Sequence, residues 1–289
     1  MYVIFTDTDT DLTPQTAKEY GYHLISMPYS IDGKEVFPYE DFDTYDEHAF
    51  YEMLRNGTMP QTSGLSPEKY KNYFTPFLQE GKDILYVHFS EAMSGTFTAL
   101  KIAVDELKEE FPDRRIELID TKAITIGSLN IVKEIGDLYV LGKTIDEIKK
   151  WAETEVDKFA LYFFAEDLKF FRRSGRVGNF AAFFGNILGI HPIIYIGEDG
   201  KMTSIDKARG RKATIDKIIN YVKELEDDIK GHRVLIAHTD APETAHLLGE
   251  MVNAEFGGDL RIEYVCTNPT AGSHCGPNGV GISFHAKHR

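Results

Sequence analysis

The sequence predicts an α/β chain in two parts. Its N-terminal half reads as a parallel sheet covered by helices, and its C-terminal half as an α+β unit with a largely antiparallel sheet. Three observations carry this. Through residues 1–158 short apolar runs alternate with segments of helical spacing, and strands separated by helices pair in parallel. Beyond residue 158 two apolar runs flank Glu198-Asp199-Gly200, a hairpin signature. The 289 residues also exceed the roughly 100–200 of one domain, which places domains at 1–158 and 159–289.

The elements follow in order. Residues 2–6 form the first strand, and Thr13-Pro14 caps and opens a helix. A strand at 24–27 precedes the Asp32-Gly33 turn. Thr44 and Glu47 read as a capping box for a helix that ends at Asn56-Gly57, and Ser66-Pro67 opens another that Pro76 should kink or end. Strands at 84–87 and 116–119 bracket a helix over 97–111, whose apolar positions are Phe97, Leu100, Val104, Leu107 and Phe111. Helices over 124–141 and, capped by Thr144 and Glu147, to about 158 close the first half. The second half reads as a strand at 159–164, a turn rich in Arg and Gly, a Phe-rich helix to about 188 and a hairpin of 192–196 with 201–205. Helices over 211–225 and 241–256 surround a strand at 234–238, and strands at 262–266 and 280–284 finish the chain.

A formal charge of −14, with 32 Lys and Arg spread along the chain in no long basic block, argues against a nucleic-acid interface. No apolar run approaches the ~20 residues of a bilayer span, and Met1-Tyr2-Val3-Ile4-Phe5 lacks the basic start of a signal peptide, so a cytoplasmic location is expected. Cys266 and Cys275 read as reduced thiols. No metal site is expected, because His274 and Cys275, as neighbours, point to opposite faces of an extended segment.

Ser94-Gly95-Thr96 is the most informative stretch. It lies between a strand and a helix, where first-turn N–H groups and small hydroxyls converge on one anion; an ordinary Ser cap is the competing explanation. Ser94 or Thr96 is the expected helix cap. Asp7-Thr8-Asp9-Thr10-Asp11 after a strand suggests a magnesium-dependent phosphatase with Asp7 as nucleophile and Asp9 as acid/base, although Asp11 would crowd such a site. Gly142-Lys143-Thr144 lacks the upstream Gly of a phosphate loop, and no G-x-S-x-G elbow is present. Thr62-Ser63 lies in a polar loop, Arg172, Arg173 and Arg176 surround a small-residue turn, and residues 268–281 read as a Gly-rich loop around His274.

Taken together, Thr62-Ser63, Ser94-Gly95-Thr96, Asp167-Leu168 leading to Ser174-Gly175-Arg176, Lys207-x-Arg209, and His274 with Gly276-Pro277 resemble the DegV family over nearly the whole chain. That resemblance implies a two-domain protein with a long-chain fatty acid buried between the domains as ligand and no cofactor. It implies carboxylate contacts from Thr62, Ser63, Ser94 and Gly95, with His274 in support, and Arg176 and Arg173 at the head-group end. It also implies a non-catalytic carrier that presents the carboxylate to a separate ATP-binding fatty acid kinase, with transient contact at a membrane surface. In that role Arg173, Arg176 or Arg209 would offset phosphate charge. A lipid-binding regulator without a kinase partner is the related alternative.

The acyl slot is expected among Phe180, Phe184, Ile187, Leu188 and Ile190, while most other aromatics at the start of the second half should pack the core. Four residues depart from the family's common pattern: Ser174 for Gly, His191 for Lys, Cys275 for Thr and Asn278 for Gly. Asn is the best non-Gly choice where φ is positive.

Overall fold

The computed structural model describes residues 1–178 and 189–289. The first half runs β1 (Tyr2–Asp7), α1 (Pro14–Tyr20), β2 (Tyr22–Ile25), β3 (Tyr29–Ile31), β4 (Lys34–Val36), α2 (Glu47–Arg55), β5 (Gln61–Thr62), α3 (Pro67–Gln79), β6 (Asp83–His88), α4 (Thr96–Glu110), β7 (Ile116–Asp120), α5 (Ile126–Val140) and α6 (Ile145–Glu155). The second runs β8 (Phe159–Phe164), α7 (Leu168–Ser174), β9 (Val177–Gly178), β10 (Ile190–Ile196), β11 (Met202–Arg209), α8 (Arg211–Leu225), β12 (Arg233–His238), α9 (Pro242–Glu255), β13 (Arg261–Cys266), α10 (Pro269–Cys275) and β14 (Val280–His285).

The expected α/β architecture is present. One sheet, β2-β1-β6-β7, is parallel throughout. A second, β13-β12-β14-β8-β10-β11-β9, is antiparallel except at its two outer pairings. A small antiparallel sheet, β4-β3-β5, carries Thr62. The buried face of α5 packs against β8, β12 and β14, so the last long helix of the first half covers the second sheet. The main core therefore runs through both halves and includes Phe5, Tyr86, Ile126, Leu161, Phe171 and Leu235.

Local chemistry sets most helix ends. Thr13, Ser66 and Thr144 cap as the sequence predicts, and Thr144 with Glu147 closes a reciprocal capping box. Three local readings are corrected. Asp46, not Thr44, caps α2, because its carboxylate accepts from the Ala49 N–H at 3.0 Å. Gly95 occupies the N-cap of α4, and neither Ser94 nor Thr96 does; the Thr96 hydroxyl instead accepts from the Leu65 N–H and bonds to the Tyr70 hydroxyl, both at 2.9 Å. Pro76 does not stop α3, whose buried Phe74 and Leu78 carry the helix on to Gln79.

Two segments read as turns are short helices. Asp167 caps α7 and Gly175, at φ 64°, ends it. Asn268 caps α10, with Pro269 in its first turn. Here Gly276 is required twice over: its φ is 69°, and a Cβ would meet the Phe170 ring at 2.3 Å. The expected Phe-rich helix to about 188 lies outside the described residues.

Candidate functional site

A cavity of about 360 Å³ lies between the halves, within the range of small-molecule sites. The first half lines it with the loops beyond the carboxyl ends of β1, β2 and β6, where open parallel sheets characteristically bind ligands. The second half contributes β8, α10, the end of β12 and the start of β14. Most of the wall is apolar: Met27, Leu65, Phe89, Met93, Ile126, Leu161, Phe163, Phe164, Phe171, Met202 and Val280 all face it.

One group of polar residues on the wall is drawn together by the packing of the Thr62 loop. A Cβ on Gly64 would lie 3.1 Å from the Thr96 Cα, so the glycine lets the Thr62 loop close onto the start of α4. Thr62, Ser63, Ser94, Gly95 and His274, which the family resemblance groups as head-group contacts, all line this cavity. The Thr62 hydroxyl and His274 Nε2 are hydrogen-bonded at 2.9 Å. Burial pushes the His274 pKa down to about 4, with the Arg176 and Arg173 guanidinium groups adding to the effect, so the imidazole is neutral at pH 7. Ser94 Oγ accepts from the Thr96 N–H at 3.2 Å, and a hydroxyl used as acceptor still has its proton to donate. Gly95 stands at the N-terminus of a fifteen-residue helix whose dipole favours an anion. This group offers donors to a carboxylate without a buried cation.

The remaining predicted residues divide. Ser63 lines the cavity, but its hydroxyl donates to Glu35 at 2.6 Å. Arg176 also lines it, with its guanidinium donating to the Ser174 carbonyl. Arg173 binds the Met59 carbonyl at 2.8 Å and acts on His274 through its charge. Arg209 is exposed on β11 and is not among the residues that line the cavity. Ile190 pairs with Arg209 at the start of β10 and is likewise not among the described lining residues. Phe180, Phe184, Ile187 and Leu188 lie outside the described residues.

The Asp7–Asp11 turn is geometrically unsuited to phosphatase chemistry. Asp7 is fully buried; one oxygen accepts from the Asp9 N–H, and the other from the Tyr86 hydroxyl and the Phe89 N–H. Burial raises its pKa to about 7. An enclosed, fully bonded carboxyl cannot approach a phosphate.

The departures from the family pattern fit their places. Asn278 has φ 66°, as an Asn replacing Gly should, and its amide oxygen accepts from Arg55 at 3.2 Å. His191 is buried against Phe164 beside the Thr214 hydroxyl, and burial lowers its pKa. Ser174 bonds back to the Phe171 carbonyl at 2.9 Å. Cys275 lines the cavity as a thiol whose pKa burial raises to about 12.

Sequence reasoning missed Asp9, His238, Thr239, Thr267 and Thr270 as cavity residues. For His238 and Thr239 one sign was legible: a polar residue immediately after an apolar strand run, where loops gather at a sheet's edge.

A family model described as "Uncharacterised protein, DegV family" matches residues 1–287. A DegV domain-containing protein of Clostridium perfringens is 32% identical over 284 residues, covering 98% of this chain and 97% of the relative. Among solved structures, a stearic acid-binding protein from Eubacterium ventriosum superposes with TM-score 0.87 at 20% identity, covering 99% of each chain. A fatty acid binding DegV family protein from Thermus thermophilus gives 0.85 at 22% identity, again over 99% of each chain.

Proposed function

The chain belongs to the DegV family, and from that premise we propose that it binds one long-chain fatty acid. The tail would occupy the cavity between the halves, with the carboxylate against Thr62, Ser94, the Gly95 N–H and His274. The observation that carries this reading is the pairing of a largely apolar wall with a charge-neutral set of donors. Burial of about 14 methylenes at ~0.8 kcal/mol each supplies at most about 11 kcal/mol, before the cost of ordering the chain. Structural relatives with this fold are described as fatty acid binding, including one from Bacillus subtilis at TM-score 0.82.

The donor set also suits a further step. Hydroxyls and a neutral imidazole hold the carboxylate while leaving it anionic and nucleophilic. A partner kinase holding ATP would then receive its oxygen on the γ-phosphorus, forming an acyl phosphate as ADP leaves. Arg176, which lines the cavity, would offset the charge that develops. In this scheme the chain is a carrier and the chemistry belongs to the partner. Ser63 enters the carboxylate set only by releasing Glu35.

Titration of a long-chain fatty acid into delipidated wild type and Ser94→Ala tests the head-group assignment. Loss of one hydrogen bond to a charged group should weaken binding by roughly ten- to hundredfold in a protein that remains folded. Equal affinities would remove Ser94 from the site. Adding the candidate kinase and ATP tests the second step, with acyl phosphate formation required from the wild type.

A further inference from the structure

Thr62 and Ser63 stand side by side among the residues that line the cavity, yet their hydroxyls are committed differently. Thr62 shares a hydrogen bond with the neutral His274 imidazole, and Ser94 accepts from the Thr96 N–H and keeps its proton to donate. Ser63 instead donates to a carboxylate, Glu35 Oε1, at 2.6 Å. A serine hydroxyl carries a single proton, so Ser63 cannot serve Glu35 and a ligand carboxylate at once.

The small sheet builds this contact. β3 lies between β4 and β5, and Ser30 pairs with Glu35 on one side and with Gln61 on the other. Glu35 therefore reaches across the central strand to the residue that follows β5. Both Glu35 and Ser63 are exposed, so the bond lies at the protein surface beside the cavity. Releasing it is cheap in conformation: the Ser63 hydroxyl turns between staggered rotamers, and an exposed carboxylate regains water. Two carboxylates brought to one hydroxyl also repel each other, which favours an outward turn of Glu35 as a ligand carboxylate arrives.

We propose that Glu35 is an internal competitor for the bound acid, a carboxylate of the chain that holds the Ser63 proton when no acid is bound and yields it to the ligand. The handover weakens binding by the strength of the bond given up, and such differences are expressed mainly in the rate of release. The inference rests on the fatty-acid reading above and deepens it. A purely structural tie between β4 and the Thr62 loop predicts the opposite sign, because its removal would loosen the site.

The test titrates stearic acid and oleic acid into delipidated wild type, Glu35→Ala, Ser63→Ala and the double variant, a cycle that isolates the coupling between the two residues. Glu35→Ala should bind roughly three- to tenfold more tightly than wild type, the net worth of one hydrogen bond, and should release the acid more slowly. In the Ser63→Ala background the same substitution should lose most of that gain. Glu35→Val, which suits an edge strand and has no acceptor, serves if the alanine variant does not fold. A gain of the same size without Ser63 would trace to charge alone and overturns the proposal. Unchanged or weaker binding by Glu35→Ala overturns it as well and leaves the fatty-acid reading standing. Failure of wild type and every variant to bind either acid contradicts the fatty-acid reading itself.

Discussion

Two polar clusters border this cavity, and they do opposite things. In the Asp7–Asp11 turn most hydrogen-bonding capacity is spent inside the protein: Asp7 holds Asp9, Tyr86 and Phe89, and one oxygen of Asp11 accepts from both the backbone and side-chain N–H groups of Asn268 at 2.9 and 2.7 Å. At the other cluster, Thr62, Ser94 and His274 bond one another's neighbourhood lightly and keep donors facing the space. The carboxylate turn is therefore read as framework, and the neutral cluster is the proposed head-group site. Charge density in a sequence does not separate the two; what distinguishes the second is an uncharged hydroxyl–imidazole pair at the cavity wall.

The sharpest way to break this contrast is Asp7→Ala. It would leave the Phe89 N–H, the Asp9 N–H and the Tyr86 hydroxyl without their acceptor in a buried place, at about 1–3 kcal/mol for each unsatisfied group. Thermal unfolding should show a loss of several kcal/mol or no folded protein at all. A variant as stable as wild type would show that the turn is not framework.

A milder probe is pH. Asp7 and Asp11 have pKa values raised by burial to about 7, against an ordinary value of 3.8. The folded state then holds protons that the unfolded chain has already released, so their contribution is complete below pH 4 and lost as pH rises through 7. Buried His groups with lowered pKa act in the opposite sense, but only below their ordinary 6.5. Between pH 6.5 and 8 the carboxyls dominate, and stability should fall by about 1–2 kcal/mol. Denaturant midpoints across that window measure it, and Asp11→Asn should flatten the slope.

The smallest expected effect is at Arg209. It is exposed and off the cavity wall, so Arg209→Ala should leave fatty-acid affinity unchanged in the titration that Ser94→Ala weakens. A comparable loss at Arg209 would mean that the head-group end extends further than this geometry allows.

The same contrast explains what the sequence made legible. Elements with a side-chain cap or a periodic apolar face were readable, as α6 with its Thr144 box and α8 over Arg211–Leu225 respectively illustrate. Of three seven-residue helices, α1 was read from its Thr13-Pro14 start, but α7 and α10 were not, because they are too short for periodicity and stand in segments rich in turn residues. Asn268-Pro269 was the available clue. Strands of two or three residues, such as β3 to β5, carry no periodic pattern at all.

At the proposed head-group end, Thr62, Ser94 and His274 were named through the family resemblance of the ordered motifs; read locally, Thr62-Ser63 is turn chemistry and a lone histidine in a Gly-rich loop is weak evidence. The apolar wall was not, since Leu161 or Val280 facing a cavity looks in sequence like the same residue facing a core. Asp9 was legible as a residue but misread in role: three alternating carboxylates suggest metal chemistry, and only the fold separates the bonded Asp7 from the unpartnered Asp9 oxygen.

The most direct measurement is mass spectrometry of the organic extract from freshly purified, denatured protein, with fatty acid titrated back into the delipidated form. The account predicts a near-stoichiometric long-chain fatty acid in the extract and saturable rebinding. An empty extract together with no binding of added fatty acid would contradict it.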